Sequence, residues 1–466
     1  MKGAPAFALT MLIAVVVACQ TTAVPTQTLG PAVTPVRTPT GAPTSTPTPI
    51  PTPATSPTSS LPADPRAAGW RADLEMLVTA REGMHPNAWH SISRDDYVAE
   101  IESVVARIPE LNDDELFVEL SRLAALPNSF GRDGHGGTYP WGEGEYGVSV
   151  YPLRLYWFSD GVFVTDAVAE HRDLVGARID AIAGHDIDEL LSAVEPLVSR
   201  DNQQQVLSSS PLFLIVANIL HGLGFVPDAT SSVEFTLSRD GEQLTADVTP
   251  VPRSSLGSLL GGHYFWTVPP RTGGGTRWLS NLEDEVWWEI DEESATLFVG
   301  YNAVAASVYL SVVDLSAIVD SGEVDRMVVD VRHNGGGDNT TYAPLMNLVA
   351  RAADELTCGA YVAMGRATFS AAGNFVTEVE RDTNAMLVGE DLGTSPNQYG
   401  DGRPVNLEHS RVVARFARQY IVKSDADDPR LTIEPDIEAP LSSSDYFGDR
   451  DPVLEAIHDQ LPACPE

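Results

Sequence analysis

The sequence predicts an α/β protein built in three successive regions, and three patterns carry that prediction. Within regions bounded at 66–145, 146–252 and 253–466, apolar residues recur every three to four positions from about residue 68 to 127, alternate with polar ones in short runs from about 148 to 251, and fall into alternating strand-like and helix-like blocks from about 286 onward. The first pattern is that of amphipathic helices, the second that of a β-rich module, and the third that of a mainly parallel sheet layered with helices. With 466 residues, 43% of them hydrophobic, the chain can bury more than one core and is not a small stapled scaffold.

Ahead of these regions stands an export address. Residues 1–19, MKGAPAFALTMLIAVVVAC, join one positive charge at Lys2 to an apolar run shorter than the roughly 20 residues a spanning helix needs, with Cys19 directly after a small residue. Val16-Val17-Ala18-Cys19 resembles a bacterial lipobox, in which the cysteine is diacylated and becomes the first residue of the mature chain. Cys19 is therefore the expected lipidation site, and the expected location is the cell envelope, outside the cytoplasm; an ordinary secretory signal is the alternative. Residues 20–65 are mostly Thr, Pro, Ser, Ala and Gly. Such a segment cannot form a core and favours extended polyproline conformations, making a stalk on the order of 100 Å long.

The helical region shows three periodic runs, WRADLEMLVTAREGM, DDYVAEIESVVARI and NDDELFVELSRLAAL, each opened by acidic or small polar residues. They stop at Pro127, before a glycine-rich loop over residues 128–147. In the β-rich region, LVGARIDAIAGHDI resembles the strand-turn-helix of a PDZ domain, and SVEFTLSRDGEQLTADVTP resembles such a domain's closing hairpin. An apolar helical insert over residues 196–223 interrupts the match, and an unrelated small β domain is the alternative. In the third region ATLFVGYNAV, DRMVVDVR, GAYVAMG and AMLVGE read as strands with helices between them, and VNLEHSRVVARFARQYIV and DPVLEAIHDQL add a hairpin and a last helix.

Charge narrows the function. The chain has 29 basic residues against 65 acidic, a formal net charge of -36, and only two lysines, Lys2 and Lys423. Such a surface repels phosphate backbones and anionic headgroups, which argues against nucleic acid and against membrane contact other than through a lipid anchor. Cys358 and Cys464 either pair or remain two thiols.

Three segments can carry chemistry. In Val329-Asp330-Val331-Arg332-His333-Asn334-Gly335-Gly336-Gly337-Asp338-Asn339 an apolar strand runs into three glycines, whose backbone N–H groups can approach a developing negative charge; no Gly-Lys-Ser/Thr follows, so this is not a phosphate loop. In Thr368-Phe369-Ser370-Ala371-Ala372-Gly373 a serine opens a helix, where it can be a cap or a nucleophile with the next N–H free to stabilise an oxyanion. In Gly131-Arg132-Asp133-Gly134-His135-Gly136-Gly137 a histidine sits in a glycine-rich loop, either merely exposed or poised as a base.

Together these segments resemble the tail-specific, or C-terminal processing, serine peptidases of family S41. Asp330-x-Arg332-x-Asn334-x-Gly336-Gly337 is similar to their D-x-R-x-N-x-G-G signature, and Thr368-Phe369-Ser370-Ala371-Ala372 to their nucleophile segment. Asp133-Gly134-His135 is similar to the D-G-H-T element of the branch with retinoid-binding-protein-like repeats and the tricorn core, and Ile433-Glu434-Pro435-Asp436-Ile437 to the closing I-x-P-D-I/V. The resemblance covers residues 70–460 and implies a crotonase/ClpP-like α/β catalytic core after a PDZ-like module. Members with a Ser-Lys dyad carry the lysine in a V-G-x-x-T-F-G-K-G segment; here Ser395 takes that position. The resemblance then implies His135 as base, Ser370 as nucleophile, Asp428 as third member with Asp427 close by, and an oxyanion hole from the N–H groups of Gly336 and Ala371. Gly136 replaces the usual threonine after the histidine, which implies a looser loop or a degenerate site.

His333, beside the glycine turn, is read as structural, with lining the cleft as its alternative, and His85 and His90 are expected in structural roles. No metal-ligand spacing is visible and no cofactor is implied. The expected activity is hydrolysis of peptide bonds in extended or unfolded chains through an acyl-enzyme. The competing expectations are a catalytically degenerate envelope protein that holds peptides or small ligands and, more remotely, an acyl-CoA enzyme of the crotonase type.

Overall fold

Three helices open the chain in the computed structural model, which describes residues 64–139, 147–257, 267–271 and 275–459. The signal segment with Cys19, the stalk up to residue 63 and Cys464 lie outside the described residues. Helix α1 (Pro65–Met84) starts with proline at its first position and is capped by Asp64, whose carboxylate accepts the Arg66 N–H at 3.0 Å. Helix α2 (Arg94–Arg107) is capped by Ser93, and α3 (Asp113–Ala125) by a reciprocal box between Asn112 and Glu115. Among the described residues no helix is long and apolar enough to cross a membrane.

Strands β1 (Gly137–Thr138) and β2 (Ser149–Val150) precede an antiparallel sheet of β3 (Leu153–Phe158), β4 (Gly161–Ala167), β5 (Arg178–Ile182), β6 (His185–Asp186), β7 (Val233–Arg239) and β8 (Glu242–Val248), in the order β3-β4-β5-β7-β8 with β6 paired to β5. Between β6 and β7 run α4 (Ile187–Val194), α5 (Gln203–Leu214) and α6 (Ala217–Gly222), the helices expected as an insert. Strand β9 (Val251–Pro252) pairs with β2. One hydrophobic core joins α1, α2 and α3 to this sheet and its insert: Leu74, Leu77, Ile101 and Phe117 pack in the same cluster as Val164, Ile179, Leu214 and Phe235. All described residues fall within one compact unit.

The last region is a six-stranded sheet, β10 (Val286–Asp291), β11 (Thr296–Tyr301), β12 (Arg326–Asp330), β13 (Ala360–Met364), β14 (Met386–Gly389) and β19 (Ile437–Glu438), in that spatial order. Only the β10-β11 pair is antiparallel. Helices α7 (Val308–Ser321), α8 (Ala343–Glu355) and α9 (Ala371–Asp382) connect the parallel strands, which are buried on both faces and accordingly apolar. Between β14 and β19 come β15 (Asn397–Gly400), β16 (Arg403–Asn406), β17 (Val413–Phe416) and β18 (Gln419–Val422), and the chain continues through α10 (Ser443–Phe447) and α11 (Pro452–Asp459). Cys358 is disulfide-bonded, and the other two cysteines lie outside the described residues.

Two pairings position the site. Strands β12 and β13 are parallel neighbours, so the glycine loop after β12 and the serine segment after β13 leave the sheet side by side, at the carboxyl ends where open α/β sheets place their ligands. Strand β1 pairs antiparallel with β17, with Gly137 opposite Arg415, and this lashes the histidine loop to a segment almost three hundred residues later.

Candidate active site

The glycine loop is shaped by the side chains of its own motif. Arg332 forks onto Asp330, with its Nη2 2.5 Å from Oδ2, and onto Asp451 before α11, with both contacts at 2.9 Å; the Trp278 ring covers the guanidinium at 4.4 Å. Burial pushes the Asp330 carboxyl up while Arg332 opposes it, and the two carboxylates hold Arg332 firmly charged. Asn334 donates to the Tyr301 carbonyl at 2.9 Å and accepts the Gly336 N–H at 2.9 Å, folding the turn. Gly336 has φ +111°, and a Cβ there would lie 2.7 Å from Ser370 Cβ, so only glycine lets this loop lie against the serine. The Gly336 N–H expected in the oxyanion hole is thus spent on Asn334 in this conformation. Ala371, the other expected donor, is the first residue of α9, where N–H groups have no acceptor within the helix.

Ser370 occupies the N-cap position of α9 without capping it: its side chain accepts no helix N–H, and its backbone is held at φ +53°, ψ -122°, a strained conformation for a residue with a side chain. Thr368 anchors the turn by donating to the Val331 carbonyl at 2.8 Å. Freed from capping, Ser370 Oγ lies 2.9 Å from His135 Nε2. Of the two readings of the serine left open by sequence, capping is the one this geometry does not show.

His135 is held by a packed loop. The Gly134 N–H donates to Asp201 at 2.6 Å, the Arg132 N–H to the Asp201 carbonyl at 3.0 Å, and the ring stacks on Phe369 with centroids 4.4 Å apart. Gly136, expected to loosen the loop, is instead a close approach: a Cβ there would meet the Asn128 amide at 2.3 Å. Asn128 is itself buried and bonded to Arg81, Ala124 and Ser199. Burial lowers the His135 pKa to about 4; Asp133, the Tyr399 backbone and Asp401 counter this, and Arg415 reinforces it. The ring's Nδ1 is buried without a hydrogen bond of normal geometry, so the Tyr399 backbone acts on it only as a partial offset to desolvation.

Asp428 is not brought to the histidine. Its carboxylate accepts from the Arg430 backbone and guanidinium and from Ser424 Oγ, bonds that hold it well below the usual carboxylate range. Its link to the loop is through the backbone, the Asp428 carbonyl accepting from Arg132 at 2.6 Å. Ser395, at the lysine position of the dyad, is buried and donates to the Asp201 and Leu431 carbonyls. Lys423 is committed to Tyr342 Oη and Glu378, each at 2.7 Å. His333 lies buried against Trp278 with Nδ1 2.7 Å from Thr267 Oγ1, as its structural reading has it, and is not among the described residues that line the cavity at Ser370; burial lowers its pKa to about 3.

The structure assembles one group of possible ligands that spacing conceals. His85, His90 and Asp133 bring ligand atoms within 4.8 Å of one another. The group does not fit a cation. The Asn87 N–H donates to His85 Nδ1 at 3.1 Å, which leaves the ring proton on Nε2, the atom that would have to ligate, and Arg81 already supplies a positive charge 3.3 Å from Asp133.

A cavity of about 270 Å³ opens beside Ser370 and His135. Val198, Phe213, Ala367 and Phe369 give it apolar walls, and Gln205 and Ser209 add neutral polar groups. Among the described residues its one charged lining side chain is Arg366, which is neutralised by Glu390 at 2.6 and 2.8 Å and also donates to the Trp157 carbonyl. Sequence reasoning missed the Asp133 cluster and Asp201. An acidic residue two before the histidine was a readable signal for the first; nothing marked the second, which reaches the loop only through tertiary structure.

No protein-family model and no curated protein matches the sequence. Among solved structures, mature CPAF complexed with lactacystin matches at 13% identity and TM-score 0.55, over 84% of this chain and 97% of that one. A CPAF serine-to-alanine mutant matches at 12% identity and TM-score 0.57, over 86% and 100%. The photosystem II D1 C-terminal processing protease matches at 12% identity over 80% and 93%, with a TM-score of 0.36. At these identities the two CPAF matches, each over more than four fifths of this chain, show a shared fold, in keeping with the S41 resemblance of the sequence motifs.

Proposed function

We propose that the chain is a serine peptidase that cuts extended or unfolded protein chains, held at the cell surface by a lipid on Cys19 and the stalk of residues 20–65. The observation that carries the catalytic reading is the 2.9 Å approach of His135 Nε2 to Ser370 Oγ, made by a serine whose backbone is strained out of a capping role. His135 takes the Ser370 proton as Oγ attacks the scissile carbonyl, gives it to the leaving amine, and then draws a proton from water to hydrolyse the acyl-enzyme. The Ala371 N–H supplies one donor to the oxyanion. The glycine loop supplies the second, the Gly336 N–H passing from Asn334 to the substrate oxygen; such donors are worth about 3 to 4 kcal/mol each.

A fluorophosphonate should label the protein on Ser370, and labelling should vanish in Ser370→Ala and fall in His135→Ala. Labelling that survives Ser370→Ala overturns the reading. The competing reading, an envelope protein that holds peptides without cleaving them, is favoured by the committed Gly336 N–H and by the absence of a carboxylate on His135 Nδ1. Peptide binding by a protein that neither labels nor cleaves denatured casein would select it.

The neutral cavity favours an uncharged apolar side chain on the residue whose carbonyl is attacked. Peptide-library cleavage should show that preference, and a preference for Lys, Arg, Asp or Glu there contradicts the placement of the cavity on the acyl side.

A further inference from the structure

We infer that Asp201, buried between the histidine loop and the segment after β14, is a positioning residue of the site: one buried hydrogen-bond chain, Asp201-Thr394-Gln398-Asn374-Asn339, runs from it to the helix of Ser370 and the glycine loop. The inference deepens the peptidase reading and rests on it for its kinetic arm alone.

The links follow one another without a break. At the histidine end, Asp201 Oδ1 accepts the Gly134 N–H at 2.6 Å and the Asp201 carbonyl accepts the Arg132 N–H at 3.0 Å. Oδ2 accepts the Ser395 N–H at 3.1 Å and lies 2.5 Å from Thr394 Oγ1. Thr394 Oγ1 is also 2.8 Å from Gln398 Oε1, Gln398 Nε2 donates to Asn374 Oδ1 at 3.1 Å, and Asn374 Nδ2 donates to Asn339 Oδ1 at 2.7 Å. Asn374 stands one turn into α9, with its N–H on the Ser370 carbonyl at 2.9 Å, and Asn339 closely follows the glycine loop. Asp201, Thr394, Gln398 and Asn374 are fully buried, where a missing link leaves a polar group unsatisfied. Gly373 lets α9 lie against the chain, since a Cβ there would meet Thr394 Cγ2 at 1.8 Å.

Protons decide how the chain is directed. A threonine hydroxyl carries one, and that of Thr394 stands between two acceptors, Asp201 Oδ2 and Gln398 Oε1. Either Asp201 supplies a second proton as the acid, or the amides of Gln398 and Asn374 turn over and Thr394 donates to a carboxylate. The charge on Asp201 and the direction of the chain are therefore one variable. Burial pushes the Asp201 carboxyl up to about 6, against Thr394, Gly134 and Ser395, and Asp133 of the histidine loop adds to the rise. From α5 and the segment before β15 the facing side chains are Gln205, Thr394 and Ser395, none of which titrates. As pH rises through about 6 the bonds to Asp201 become charge-assisted, and the grip on Gly134, next to His135, tightens.

The test is the rate of fluorophosphonate labelling of the full chain against pH, together with kcat and KM on a fluorogenic peptide. In the unsubstituted protein labelling should rise through a step near pH 6, separate from the His135 step at about 4. Asp201→Asn should abolish the step near 6 and slow labelling about tenfold or more, with KM within about threefold, because the base is misplaced while the substrate cleft is kept. Thr394→Val, which breaks the chain without touching His135 or Ser370, should slow labelling similarly and move the step upward, since the lost donor favoured the charged carboxylate. Thr394→Ser should restore both. A step near 6 that survives Asp201→Asn, or labelling in Thr394→Val as fast as in the unsubstituted protein with its step unmoved, overturns the inference. Hydrogen exchange over residues 131–138, read by mass spectrometry, needs no turnover: it should quicken in Asp201→Asn and Thr394→Val and recover in Thr394→Ser, and exchange unchanged in both variants overturns the inference as well. A protein that never labels yet shows this exchange pattern would defeat the peptidase reading alone.

Discussion

Ser370→Ala should lower kcat/KM by about 10⁴- to 10⁶-fold, the range reached when a nucleophile acting as a unit with its base is removed. The expectation follows from geometry: among the described residues Oγ has one partner, His135 Nε2, and the backbone turn that presents it is strained rather than capped. Any residual rate would come from the cavity and the donors around it. Lys423 supplies the contrast. Its ammonium is bonded to Tyr342 and Glu378, so Lys423→Met should leave kcat within about threefold and cost at most about 1 kcal/mol of stability, as expected of a partly exposed ion pair. Steady-state kinetics on a fluorogenic peptide and mass detection of an acyl adduct measure both. A Lys423→Met variant as inactive as Ser370→Ala would restore a lysine mechanism and displace His135.

The second large effect concerns the support of the oxyanion loop. Arg332→Met should cost about 3 to 5 kcal/mol of unfolding free energy, because it leaves Asp330 and Asp451 buried as carboxylates without their shared cation. Both are less than a tenth exposed, so little water reaches them to compensate. Urea unfolding measured at neutral pH should show the loss, and it should shrink as pH falls, since burial already pushes the Asp330 carboxyl up and its protonation removes uncompensated charge. A loss below about 1 kcal/mol would mean that the network is not holding the loop.

How much of this was legible in the sequence follows from the distance over which each feature is encoded. The helices, the strand-helix alternation and the insert are written in local periodicity and were readable. Ser370, His135 and the glycine loop could be singled out as candidates, because each lies in a contiguous run with a special backbone. What sequence could not resolve was which atoms those groups spend on one another. Gly336 is a plausible donor until Asn334 is seen to hold its N–H, and Asp428 a plausible acid until Arg430 is seen to occupy it. Gly136 looked like slack and is the reverse, because the amide it clears belongs to Asn128, at the end of a helix packed against the loop. The clamp on Asp133 draws on α1, the turn after it and the loop itself, and no spacing rule joins Arg81 to Asp133.

The lashing of the histidine loop to the tail sets an order in time. Arg132 is held by the carbonyls of Asn397 and Asp428, the Tyr399 N–H donates to the Arg132 carbonyl, and among the described residues β1 pairs only with β17. A chain emerging amino end first therefore carries its base early and its serine later, but cannot bring the two together until the segment through residue 428 has also emerged and folded. On the peptidase reading proposed above, a half-made copy would lack the assembled pair of His135 and Ser370, which forms only as these later strands close.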